Sequence, residues 1–205
     1  MTIIIIIITS AISIMAFSNK KLFSQLLFNP YQVYHRREWY RIITHGFLHV
    51  NWAHLIINML VLFSFGGSIE GAFHIMAHKT WMKFPILCYV TFYFLSFVVS
   101  SLTTLCKHKN DTSYNSVGAS GAVSAVLFCS IFFNPRMTLW IMGIIPISAF
   151  IFGPLYLLYS WYSARKTNVN INHDAHLMGA VFGFCFPIMV DVSLFRLFID
   201  SLFFT

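Results

Sequence analysis

Apolar residues run along this chain in long blocks separated by short polar breaks, and six of the blocks read as helices in a hydrocarbon solvent. They cover roughly residues 2–18, 52–69, 84–105, 120–133, 138–161 and 175–191, several of them near the ~20 residues that a ~30 Å hydrocarbon core requires. The first block, TIIIIIITSAISIMAFS, lacks a basic leader and a small-residue cleavage pattern, which predicts a retained helix rather than a signal peptide. The fourth is too short. Between Ser120 and the Asn134-Pro135 stop it holds only enough residues for about 21 Å of helix at ~1.5 Å per residue. The loop feeding it must therefore dip into the protein, because irregular backbone at membrane depth is tolerated only where it is buried or lines a wet cavity. This places Ser120 in the first turn of a helix that starts below the membrane surface.

The connection over residues 19–51 is too apolar for a solvated loop and too charged for a span. It reads as a segment embedded in the interface, with Tyr31, Tyr34, Trp39 and Tyr40 at headgroup level. Composition agrees: 58% of residues are hydrophobic, 9% are charged and the mean hydropathy is +0.75, which excludes a water-soluble fold. The formal charge of +7 sits largely in this embedded segment, where attraction to the lipid bilayer's anionic headgroups explains it better than nucleic-acid binding. No linker, repeat or low-complexity tract divides the chain, so residues 1–205 read as one all-α membrane domain. Cys88, Cys106, Cys129 and Cys185 are scattered through apolar blocks without a CxxC pair and read as small packing residues.

Polar residues inside spans are costly, and they concentrate in three places. His54 and Asn58 are four apart and share one helix face. Taken alone they fit interhelical hydrogen bonding as well as chemistry. His176 opens the sixth span, followed by Gly179 and Gly183 at a spacing that lets a helix backbone approach its neighbour closely. Ser120 stands in GASG, bracketed by Gly118 and Gly121. The GxSxG elbow of soluble hydrolases is absent, since position 122 is alanine.

Together these pieces resemble the rhomboid family of intramembrane serine proteases, in its compact six-helix bacterial type. The resemblance rests on REWYRIITHGFLHVNWAHLIIN, FGGSIE, GASGAVSA and HDAHLMGAVFG, in the right order on the right spans. It implies a six-transmembrane-helix bundle with a short central fourth helix and a membrane-embedded first loop. It also implies cleavage of transmembrane protein substrates by a dyad of Ser120 and His176, without metal or soluble cofactor and with no role for nucleic acid. His54, Asn58 and the Ser120 backbone N–H match the family's oxyanion-stabilising donors. Asp174 lies two residues from His176, points to a different side of the helix and reads as a loop or cap residue. Glu70 reads as a structural hydrogen-bonding partner, and Arg41, with Tyr40, as packing and lipid anchoring. Many members carry an aromatic residue one turn after the serine, stacked on the histidine; this chain has Ser124, so His176 must be oriented by something else.

The implied location is a multi-pass protein of the bacterial inner membrane. On the family's usual topology the outer side holds Lys20, Lys21, Arg36, Arg37, Arg41, Lys107, Lys109, Arg165 and Lys166, and the inner side Lys79, Lys83, Arg136 and Arg196, against the usual charge bias. Pro146 and the Gly153-Pro154 break make the fifth span a candidate mobile gate. Two other readings exist: a catalytically inactive rhomboid-fold protein that binds clients, and an ion transporter lined by His45, His49, His54, His173 and His176. The transporter does not account for a serine between glycines.

Overall fold

The computed structural model describes residues 1–79, 83–141, 143–165 and 171–203; Lys166 and the side chain of Lys79, which entered the charge comparison, lie outside the described residues. In chain order come α1 (Thr2–Ser18), α2 (Lys20–Leu26), α3 (Pro30–Arg36), α4 (Arg41–Thr44), a 3₁₀ turn (His45–Phe47) and α5 (Trp52–Lys79). Then follow α6 (Pro85–His108), α7 (Ser120–Phe133), the strands β1 (Thr138–Ile141) and β2 (Ile145–Ser148), α8 (Ala149–Ser163), α9 (His173–Val190) and α10 (Leu194–Phe203). Among the described residues α5, α6 and α9 are each long and apolar enough to cross a bilayer unaided. Their outer faces expose Ile56, Ile57, Leu60, Leu87 and Met189, as helices dissolved in lipid do.

The short α7 is the axis of the bundle. Gly121 through Phe132 are buried without a break, and α5, α6, α8, α9 and α10 all pack against it. A helix that is apolar on every side must be enclosed on every side. Its closest neighbour is α9. A Cβ built on Gly179 would run into the carbonyl of Gly121, and one on Gly183 into that of Ala125, so the two backbones touch along about one turn. Glu70 helps lock the periphery: it accepts from the Thr2 N–H (3.0 Å) and hydroxyl (3.1 Å), and that hydroxyl also meets the Tyr89 hydroxyl at 2.9 Å, joining α1, α5 and α6.

The connection after α1 is built from capped helical pieces. Asn19 accepts from Leu22 N–H at the start of α2, and Asn29 from Gln32 N–H at the start of α3, where Pro30 takes the first position. Tyr34, Trp39 and Tyr40 are half exposed, as an interfacial segment requires. Arg41 differs from the lipid-anchoring part of its sequence reading. It is buried, pairs with Glu38, and donates to the carbonyls of Ser24 (2.9 Å) and Leu27 (2.8 Å), so it ties α2 to α4. That pairing holds the Glu38 carboxyl below its ordinary pKa.

Three other features depart from the sequence pattern. The fifth block does not become helical until Ala149; β1 and β2 pair antiparallel before it, Thr138 with Ser148 and Trp140 with Pro146. The strands are rich in β-branched residues, Gly143 adopts a positive φ at the turn, and Pro146 has no N–H to continue a helix. Beyond residue 191 lies α10, whose apolar stripe was hidden by Arg196 and Asp200; its Phe198 ring stacks on Phe132 at 5.4 Å. Of the cysteines, Cys129 is buried, Cys88 is partly buried, and Cys106 and Cys185 are exposed.

The α7/α9 contact predicts opposite signs for one substitution. Gly183→Ala should cost ~1–3 kcal/mol in detergent unfolding, because the methyl must displace backbone. Gly71→Ala, with nothing within 4 Å, should be neutral or stabilise by ~0.5–1 kcal/mol.

Candidate functional site

The start of α7 is fixed by hydrogen bonds from the embedded first loop. Phe28 and Ser116 exchange backbone bonds (3.0 and 2.9 Å), and the Gly118 N–H donates to the His45 carbonyl at 3.0 Å. The Asn29 side-chain amide donates to the carbonyls of Thr112 and Tyr114 and to the Asn115 side chain. Gly118 has φ +127°, a conformation that side-chain-bearing residues rarely adopt. A Cβ there would meet His54 Cε1 at 2.7 Å and Nε2 at 3.0 Å, with Ser120 Oγ at 3.8 Å. The missing side chain thus leaves the His54 ring edge and the Ser120 hydroxyl around one small space.

His54 lies in the first turn of α5, where its N–H donates to the Asn51 side chain at 2.9 Å. Its Nε2 edge faces Gly118, while its Nδ1 is buried without a hydrogen bond among the described residues. Behind it His49 packs edge-on at 4.9 Å and shares a hydrogen bond of 3.2 Å with Ser13 of α1. Asn58, one turn further along α5, is buried and donates from Nδ2 to the His54 carbonyl at 2.9 Å. An amide nitrogen carries two hydrogens, so one remains for another acceptor.

From the other side comes α9. Its cap is Asn172, whose Oδ1 accepts from Ala175 N–H (3.0 Å) and the Thr104 hydroxyl (3.1 Å), while Nδ2 donates to Ser116 Oγ (3.4 Å). One residue therefore joins α9, α6 and the loop before α7. His176 is one turn before Gly179, on the side that meets the first turn of α7, with the His173 ring edge-on to it at 5.8 Å. Among the described residues no hydrogen bond joins Ser120 to His176. Asp174 faces away and forms an ion pair with Lys107 at 2.7 Å. Ser124 shares a hydrogen bond of 2.7 Å with the Tyr156 hydroxyl, tying α7 to α8.

A rhomboid domain model matches residues 36–191, well over half of the chain. This chain belongs to the rhomboid family. It is also 29% identical over 150 residues to RHOMBOID-like protein 12, mitochondrial, of Arabidopsis thaliana, an alignment covering 68% of this chain and 43% of that protein. The chain thus spans less than half the length of that curated relative. All the residues described around Ser120 except Ser13, Phe28 and Asn29 fall within the rhomboid match, which begins at the end of α3 and closes just after α9.

The site contains residues that the sequence reading did not single out, among them Asn29, Asn172 and Tyr156. Asn172, just before an apolar helical run, carries a readable capping signal. Tyr156 carries none, because its partner is 32 positions away.

His45 underlies the Ser120 loop through its carbonyl and is itself buried, sharing a 2.9 Å bond between Nδ1 and the Arg41 carbonyl and packed against Phe28 and Phe97. Burial pushes its imidazole down to about 4 from the usual 6.5. Between those values the unfolded chain binds a proton that the folded chain does not, so this contribution to stability is full above pH 6.5 and is lost as pH falls toward 4. The unfolding midpoint in detergent should drop across that window, and nitrogen NMR should find His45 neutral at about pH 5.5. A His45 that protonates near its ordinary value would contradict its burial.

Proposed function

We propose that this chain is an intramembrane serine endopeptidase, a peptide-bond hydrolase that cuts transmembrane-anchored proteins. The observation that carries the reading is the backbone contact between α7 and α9, which sets the Ser120–Gly121 turn against the stretch from Ala175 to Gly179 that contains His176. A serine hydroxyl needs a positioned base to become nucleophilic, and neutral imidazole has the protonation range for that task. In apo sites such pairs are often looser than hydrogen-bond distance.

The chemistry then runs in two halves. Ser120 Oγ attacks the scissile carbonyl carbon as His176 takes the hydroxyl proton. The oxyanion accepts from the Ser120 N–H, from His54 Nε2–H and from the remaining Asn58 amide hydrogen, each such donor contributing ~3 kcal/mol in comparable sites. Its position at the N-terminus of α7 adds a favourable dipole. The C–N bond breaks as His176 returns the proton to the leaving amine, and water, deprotonated by His176, releases the acyl group from Ser120. The substrate segment must unwind readily, since a peptide bond inside a stable helix is shielded by its own turns.

The resemblance to the family's bacterial type, carried by the motifs around Ser120 and His176, favours a bacterial inner membrane as its place. A mitochondrial membrane is the second reading, favoured by the name of the plant relative. A client-binding protein without turnover is the alternative activity, favoured by the absence, among the described residues, of a Ser120–His176 hydrogen bond.

In proteoliposomes, Ser120→Ala and His176→Ala should each reduce cleavage of a transmembrane substrate to background, with the double change no worse, because the pair acts as a unit. His54→Ala or Asn58→Ala should lower turnover roughly 10- to 1,000-fold. Asp174→Ala, which removes only the Lys107 pair, should lose far less. Cleavage that persists in folded Ser120→Ala would remove the serine mechanism.

A further inference from the structure

A general base has to be aimed. Misplacement by ~1 Å can cost roughly 100-fold in rate, and the usual aiming device is a hydrogen bond to the second ring nitrogen. Among the described residues no carboxylate does this for His176: Asp174, the one nearest in sequence, is committed to Lys107. What touches the ring is another ring. His173, one turn earlier on α9, stands edge-on to His176 with centroids 5.8 Å apart and planes at 78°. His173 is only 4% exposed and cannot swing outward. Its own ring meets Tyr159 of α8 at 5.4 Å and 87°. Both separations fall within the ~4.5–7 Å range favoured for edge-to-face aromatic pairs.

We infer that His173 and Tyr159 are positioning residues that set the plane of the His176 imidazole, and that through Tyr159 this orientation depends on where α8 stands. The catalytic meaning of the inference rests on the function proposed above; the packing relation does not. Tyr159 is one turn beyond Tyr156, whose hydroxyl is bonded to Ser124 of α7 at 2.7 Å, so the register of α8 on α7 sets how far Tyr159 reaches toward α9. Pro154 interrupts the hydrogen-bond ladder of α8 just before this segment. A displacement of α8 that breaks the Ser124–Tyr156 bond withdraws the Tyr159 ring from His173 and so loosens the ring packing that sets the plane of His176. The row of three rings thus connects the helix containing the proline to the base, in a chain whose Ser124 offers no ring of its own.

The test uses the full chain labelled with nitrogen-15 at histidine, in detergent or nanodiscs. Wild type should give one set of His176 ring signals, assigned by their loss in His176→Ala. His173→Ala and Tyr159→Leu should split or broaden that set, and His173→Phe, which keeps the ring, should preserve it. In the cleavage assay His173→Ala should lower kcat by roughly 100-fold with KM within about twofold, and His173→Phe should recover most of the loss. Tyr159 is 60% exposed, so Tyr159→Leu carries the test if His173→Ala fails to fold. Unchanged His176 signals in folded Tyr159→Leu would overturn the inference, as would a His173→Phe enzyme no better than His173→Ala. A wild type that cleaves nothing would remove the proposed function while the NMR comparison still decides whether the rings hold His176.

Discussion

The structure depends on the contact of two helix backbones. Where α9 crosses α7, Gly179 and Gly183 lie against the carbonyls of Gly121 and Ala125 with no side chain between them. In lipid there is no hydrophobic gain from bringing helices together, so attraction must come from close van der Waals packing and hydrogen bonds, and small residues maximise the first. The contact also has a chemical effect. It fixes the first turn of α7 against the first turn of α9 from within the bundle, and those turns carry Ser120 and His176.

The polar groups at the mouth of the bundle follow from the shortness of α7. A helix of 14 residues leaves its feeding loop inside the protein, where every backbone group needs a partner. Asn29 supplies partners for the Thr112 and Tyr114 carbonyls, Phe28 and His45 add backbone bonds, and Asn172 ties the loop to α9 through the Ser116 hydroxyl. Arg41 in turn holds the first loop together by filling carbonyls of α2 and its exit. The embedded loop is therefore the frame that keeps Gly118 in its left-handed conformation and the His54 edge beside Ser120.

Much of this was legible in the chain because membrane helices must declare themselves as apolar blocks, and because Ser120, His54, Asn58 and His176 are polar where polarity is costly. The glycine spacing at Gly179 and Gly183 announced the close crossing. The pairing of β1 with β2 was not legible, since β-branched apolar residues suit a membrane helix and a strand alike and hydropathy does not separate them. Nor was α10, whose Arg196 and Asp200 end an apolar block while Leu194 and Phe198, four apart, still pack inward. Arg41 looked like an anchor because side-chain charge is visible in a sequence and carbonyl partners are not. The rings beside His176 are illegible for a related reason: they come from α9 itself and from α8, and not from position 124 of α7.

The central claim is that the crossing of α7 and α9 makes Ser120 a nucleophile. The most direct measurement is treatment of the purified, folded protein with a fluorophosphonate, followed by mass spectrometry of the adduct. The account predicts one covalent phosphonyl group, located on Ser120, absent from His176→Ala and formed without added metal. A folded wild-type protein that takes up no label, or that carries it on another residue, would contradict it.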